Sequence, residues 1–373
     1  MQLIRRRAAF AAALAVIAPC VVPARSRAES PATPDRASVD ARSGLYQDTD
    51  HTTISTTTVA GRATIARRVT LEARYLVDVV SSASVDVVSA ATQTIHDVRH
   101  EAAGAATFHD GTRTASLSYV YSVENDWESH TAAASASHDL AQHNVRLSAG
   151  ASFVWNAVGR SGDANFHRRL LVGGGGASVT LTPSPRDLVQ IGYTLSYLDG
   201  YQASPYRFVR AFERTGAAPS PVGYPETVPD TRSRHSLTAR WNHHLFKDTA
   251  LKVHVRAYAD DWGLVSATAG ADYAVGFGPV ETALQIRGYA QGPAAFYRAE
   301  YQAPLRYMTA DRELATFVDA FFGGRVGYRK RLGRLEELRA EARVDGFAFE
   351  FFDFPRLRTR FGVVAELALG ISL

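Results

Sequence analysis

The chain has almost no sulfur chemistry to offer. It carries one cysteine, Cys20, and two methionines in 373 residues. Cys20 falls inside an N-terminal stretch that reads as a secretory signal: the basic MQLIRRR, the apolar AAFAAALAVIAPCVV, then small residues up to Ala28. Cleavage after Ala28, or after Ala24, removes the only cysteine. The exported chain then holds no disulfide, no thiolate metal site and no c-type haem attachment. Pro19 beside Cys20 fits a lipoprotein signal poorly, and the apolar run is shorter than the ~20 residues of a spanning helix. A charge of one sign is lacking as well. Five arginines and no acids leave with residues 1–28, so the formal +4 becomes −1. The basic pI of 9.2 therefore argues for no nucleic-acid partner. Long apolar runs and proline-rich linkers are also missing after residue 28, so no boundary splits the rest.

What is present is alternation. In TASLSYVYSV, Ala115, Leu117, Tyr119, Tyr121 and Val123 oppose Ser116, Ser118 and Ser122. The same period runs through NVRLSAGASFVWNA, LKVHVRAYAD and the terminal FGVVAELALGISL. A period of two over ten or more residues predicts long β-strands with one apolar and one polar face. The connections alternate too. Gly61-Arg62, Asp110-Gly111, Ser184–Asp187, Lys247-Asp248, Gly278-Pro279 and Leu332-Gly333 read as tight turns. Residues 83–97, 158–170, 200–232, 297–312 and 351–357 read as longer, polar loops, with brief connections at Asp126-Trp127 and Asp261–Gly263.

Long loops on one rim and short turns on the other predict an all-β, antiparallel transmembrane barrel of the outer-membrane type. The pattern predicts about 14–16 strands, since bacterial barrels are even-numbered. A soluble sandwich fits less well, because the strands exceed the ~5–6 residues usual there. Aromatics near strand ends (Tyr46, Trp127, Trp155, Tyr197, Trp241, Trp262, Phe351, Phe352) suit interfacial girdles. The expected organisation is a signal over 1–28, a short periplasmic segment over 29–44 and the barrel over 45–373, located in the outer membrane. Its expected surroundings are outer-membrane lipid and, during biogenesis, the barrel assembly machinery.

Five phrases carry a family likeness: LVDVVSSASVDVVSAAT, SYLDGYQASPYRFV, PDTRSRHSLTARWN, YADDWG and YMTADREL. In this order, over nearly the whole exported chain, they resemble an uncharacterised bacterial outer-membrane barrel family, domain of unknown function 3570. The resemblance implies a barrel and no reaction. Its relatives are encoded beside flavin-attaching transferases and small exported proteins, which implies an envelope partner of redox character.

Strand parity places Arg74, Arg146, Arg240, Lys252, His254, Arg256, Arg287, Arg325, Arg329, Arg339 and Arg343 toward the lumen, with Glu72, Asp78, Glu341, Asp345 and Glu366. Two arrangements fit these residues. One is a water-filled pore leaning toward anions. The other is a wall of arginine–carboxylate ladders that conducts little; the alternating signs of Arg339 to Asp345 suit such cross-strand pairs. At the rim, Tyr201, Tyr206 and Arg207 belong to a long aromatic and basic loop that narrows the mouth or grips an acidic partner. VDVVS occurs twice, at Val77 and Val85. The first copy ends an ascending strand, the second lies in a loop, and Asp78 with Asp86 offers two carboxylates for a hard cation, few for a calcium site. His96, His100 and Glu101 have helical rather than strand spacing for a metal, and His243 and His244 must face opposite ways on a strand. The Gly-rich VGGGGASVT has no following Lys-Ser/Thr, so it is no phosphate loop. No catalytic triad, cofactor site or metal site is expected. The leading function is a porin-like channel for small polar or anionic solutes. The alternative is a non-conducting scaffold for an exported partner.

Overall fold

A computed structural model describes residues 37–82, 95–214, 219–333 and 335–373. The expected signal over 1–28, the second VDVVS and Asp86 lie outside the described residues. The ascending wall strands are β1 (Ala37–Asp48), β3 (Val69–Ser82), β5 (Arg113–Val123), β7 (Val145–Val158) and β9 (Asp187–Gly200), then β13 (Thr249–Asp260), β15 (Val280–Gln291) and β17 (Leu335–Phe351). They alternate with descending β2 (Thr52–Ile65), β4 (Ile95–His109), β6 (Trp127–Leu140) and β8 (Arg168–Ser184), then β12 (Thr231–Phe246), β14 (Val265–Phe277), β16 (Phe317–Leu332) and β18 (Thr359–Ser372). These 16 strands close one antiparallel barrel, with β1 sealed against β18. A separate hairpin, β10 (Phe208–Arg214) and β11 (Pro219–Pro225), stands in the β9–β12 connection.

The wall forms because each strand has an apolar parity that meets no protein. Leu117, Phe322 and Leu367 are 67%, 63% and 65% exposed, and their strand neighbours at two-residue spacing are likewise apolar. Such a belt is stable only in lipid, and closure leaves no strand edge with unpaired backbone groups. Inward parity is polar over much of the wall, with apolar patches toward the mouth. Two glycines of the run in β8 answer a packing demand: a Cβ on Gly174 would sit 2.9 Å from Ser152 Oγ, and one on Gly176 2.9 Å from the Tyr193 carbonyl.

Several expectations are corrected. The wall begins at Ala37 rather than 45, because Ser38 to Gly44 pair with Ser372 to Glu366 on one side and with Arg62 to Thr56 on the other. Gly61-Arg62 is not a turn but mid-strand. The real turn uses Ala66 and Arg67 at φ 50° and 58°, a left-handed pair without glycine or asparagine. Among the girdle candidates, Trp155, Tyr197 and Trp241 do face outward. Tyr46, Trp127, Trp262 and Phe351 turn inward instead: Phe351 is fully buried, and Tyr46 stacks on Phe347 with ring centroids 5.3 Å apart.

Candidate functional site: the lumen and its mouth

The lumen has three sectors. From β14 round through β18 and β1 to β4 the cations are matched. Arg325 lies between Glu281 (2.7 Å) and Glu341 (3.1 Å), and Arg329 also approaches Glu281 (3.7 Å). Arg339 meets Asp40 at 3.0 Å, Arg343 meets Asp345 at 2.6 Å, and Arg287 meets Asp319 at 2.9 Å. Glu366 takes Arg42, Glu72 takes Arg62, and Arg74 takes Glu101. Asp78 is held by Thr56 Oγ1 at 2.6 Å and paired with Arg99, so its charge is already matched by a cation of the chain. Among the described residues no group of three ligand-type side chains gathers. His100 faces outward against Tyr75, while Glu101 faces in. His243 pairs with Asp187, and His244 bonds the Thr249 carbonyl on the other face.

The second sector, β5 to β9, is neutral. Ser116, Ser118, Thr131, Ser152, Thr194 and Ser196 exemplify its inward parity, interleaved with glycine and alanine. Its charges sit at the rims: Arg146 with Asp139 (2.7 Å) beside the short turns, and Arg168 above.

The third sector is β12 and β13. Here Arg240, Lys252, His254 and Arg256 share the inward face with Arg234. Arg240 stands opposite His254, and Arg256 bonds only a neutral group, Ser236 Oγ, at 2.7 Å. Neither Arg240 nor Lys252 has an ion pair among the described residues. Asp272 is across from Lys252 in the register, the one acid beside this column that is not already engaged. The His254 ring lies on Gly270, where a Cβ would come within 2.3 Å of it.

Above these sectors the mouth is bridged. The β1–β2, β5–β6, β9–β12 and β15–β16 connections are each four strands apart around the ring. Four strands span about 20 Å of wall, so contacts between these connections must run over the opening. Arg207, in the β9–β12 connection, donates to Glu226 at 2.9 Å and to Asp311 of the β15–β16 connection at 2.7 Å. The Tyr206 hydroxyl binds Asp126 of the β5–β6 connection and accepts from the Ser161 amide. Tyr201 packs edge-on to Phe166. On the far side Arg312 forms a buried ion pair with Asp50 of the β1–β2 connection. Two small cores bind the cap together: Val209, Ala211, Tyr301 and Met308, and a group around Trp262, Tyr297 and Leu314. Beneath Arg312, the inward-facing Phe317, Phe321, Phe347, Phe349 and Phe351 pack as one aromatic cluster, with Arg360 over Phe349 at 4.2 Å. Tyr206 and Arg207 are thus committed to protein carboxylates rather than presented to a ligand.

One loop carboxyl is perturbed. Burial, then the neighbouring Asp97, opposed by Arg99, pushes Glu124 from 4.5 up to about 7. The folded state then keeps a proton that the unfolded state releases, so stability falls as pH rises from 4.5 to about 7 and levels off above. Glu124→Gln should lack this component. Urea midpoints of both proteins across the window check it, and parallel pH profiles would refute it.

Fold, apolar exterior and polar lumen define a 16-stranded, lipid-embedded barrel of the outer-membrane class. Residues 175–350 match the family described as protein of unknown function (DUF3570), which is the family the sequence phrases resemble. Among solved structures, CdiB from Acinetobacter baumannii aligns with a TM-score of 0.50 at 7% identity, over 90% of this chain and 60% of its own. A bacterial polysaccharide outer membrane secretin aligns at 0.49 with 8% identity, over 90% and 98% of the two chains. The siderophore receptor PirA from Pseudomonas aeruginosa aligns at 0.45 with 9% identity; this chain is covered to 90% and spans 62% of the receptor. At such identities the likeness is one of fold. Comparison with curated proteins gives no match.

Proposed function

We propose that the chain is a porin-like channel of the outer membrane, passing small polar and anionic solutes and catalysing no reaction. The observation that carries this reading is the column Arg240, Lys252 and Arg256, cations facing the lumen without a bonded carboxylate, beside the neutral hydroxyl wall of β5 to β9. Elsewhere in the lumen each arginine of the ladders is offset by an acid, so the net field along the path is set by β12 and β13. The full-length barrel in a planar bilayer with a salt gradient tests this. Stable openings with an anion-selective reversal potential are expected.

One observation favours a second reading, a mostly closed barrel that holds an exported partner: the mouth is crossed by bonded loops. A folded barrel that stays silent in the bilayer and co-purifies with an envelope protein would replace the first reading by the second.

A further inference from the structure

Arg234 stands opposite an acid that another arginine holds. It faces the lumen on β12, directly opposite Asp260 of β13 and Ser196 of β9. The Asp260 carboxylate is already engaged on both oxygens. Oδ2 accepts from Arg232 Nε at 2.8 Å and from the Tyr258 hydroxyl at 2.7 Å; Oδ1 accepts from the amides of Trp262 and Leu264, each at 3.0 Å. Two arginines thus compete for one acid, and Arg232 takes it. Asp261, itself exposed in the β13–β14 connection, is the other acid nearby, and among the described residues no ion pair joins it to Arg234. The Arg234 Nε is buried without an acceptor among the described residues.

Across the strand, Ser196 is 2% exposed, and its hydroxyl is buried with no hydrogen-bond partner among the described residues. From below, Arg256 reaches upward, its Nε donating to Ser236, which shares Arg234's face two residues away. Arg234 and an unpartnered hydroxyl thus face each other across the β9–β12 pairing, with Arg256 on the same face below, and both oxygens of the one carboxylate opposite them, Asp260, are held by other donors. A buried guanidinium nitrogen without an acceptor is costly, and a guanidinium fork matches the paired oxygens of a carboxylate or phosphate.

We propose that Arg234, Arg256 and Ser196 form a binding site for a small oxyanion, a carboxylate or a phosphate group, beneath the cap. The site deepens the channel reading by giving its solute a chemistry. It rests on that reading only for a route of entry, since binding requires no conduction.

The test uses the full-length barrel in detergent micelles, titrated calorimetrically with inorganic phosphate, acetate and chloride at matched ionic strength. Phosphate or acetate should bind more tightly than chloride and raise the melting temperature. Arg234→Gln should weaken binding by about tenfold or more and abolish the thermal shift. Ser196→Ala, which removes only an unbonded hydroxyl, should fold normally and bind several-fold more weakly; it carries the test if Arg234→Gln does not fold. Phosphate binding without acetate binding assigns a phosphate group, and the reverse a carboxylate. Equal binding of all three anions, or unweakened binding by the folded variants, overturns the site. A silent bilayer with phosphate binding intact would sink the channel and keep the site, whereas anion-selective openings without oxyanion binding would do the opposite.

Discussion

Arg312→Ala is expected to cost the barrel about 3–5 kcal/mol and to enlarge its conductance. Both side chains of the Arg312–Asp50 pair are only 2% exposed, so truncating one strips the other, a buried charge, of its ion-pair partner. Arg312 also covers the Phe351 ring at 4.8 Å, and that contact is lost with it. By contrast the Arg358–Glu350 pair, 65% and 43% exposed, should be worth at most ~1 kcal/mol. Because Arg312 ties the β15–β16 connection to β1–β2 across the mouth, its removal frees one end of the cap. Urea midpoints read the first effect and single-channel recording the second. The Asp50→Asn, Arg312→Ala double variant should recover part of the lost stability, since the orphaned charge is gone. Unchanged midpoint and conductance in Arg312→Ala would show that the pair does not hold the cap.

The largest functional effect should come from reversing the column. A unit charge about 4 Å from a passing ion in water is worth about 1 kcal/mol, roughly fivefold in occupancy. Lys252→Glu with Arg240→Glu reverses two such charges and places them near Asp272, so the reversal potential in a salt gradient should change sign toward cations. Neither residue bonds a carboxylate, so the stability cost should be limited to repulsion from Asp272, on the order of 1 kcal/mol or less. Arg325→Gln is the informative contrast: it exposes Glu281 and Glu341 to each other, which should cost stability as well as shift selectivity. A reversal potential unmoved by the double reversal would place the ion path away from β12 and β13.

Strand parity made much of this legible in sequence. The period-two pattern of β5, β7, β13 and β18 needs no tertiary knowledge, because lipid imposes it strand by strand. The inward aromatics were legible by the same rule: Phe347, Phe349 and Phe351 share the parity of Arg343 and Asp345. Placing Phe351 in a girdle instead relied on its position near a strand end, which says nothing about the side it faces. The start of β1 was hidden because its inward Asp40 and Arg42 look like a solvated tail until they pair with Arg339 and Glu366, some three hundred residues away. The turn at Ala66-Arg67 lacks the residues that usually announce a left-handed pair. The cap was beyond reach. Its contacts join residues such as Asp50 and Arg312, 262 positions apart, through irregular connections that no periodicity constrains. Arg234 shares the parity of Arg240 and was legible by the same rule, whereas the competition with Arg232 for Asp260 appears only once the register is known.

The seam between β1 and β18 has a kinetic consequence. The Ala37 amide bonds the Leu373 carbonyl, and the Leu373 amide the Ala37 carbonyl, so this pairing spans the greatest sequence separation in the described chain. Every other wall pairing joins strands consecutive around the wall, most through turns of a few residues. Hairpins can therefore zip as they form, while the seam alone demands closure of a loop of the whole barrel's length. Assembly should halt as an open, curled sheet whenever the last strand is delayed, with β1 offering its unpaired edge to whatever holds it meanwhile.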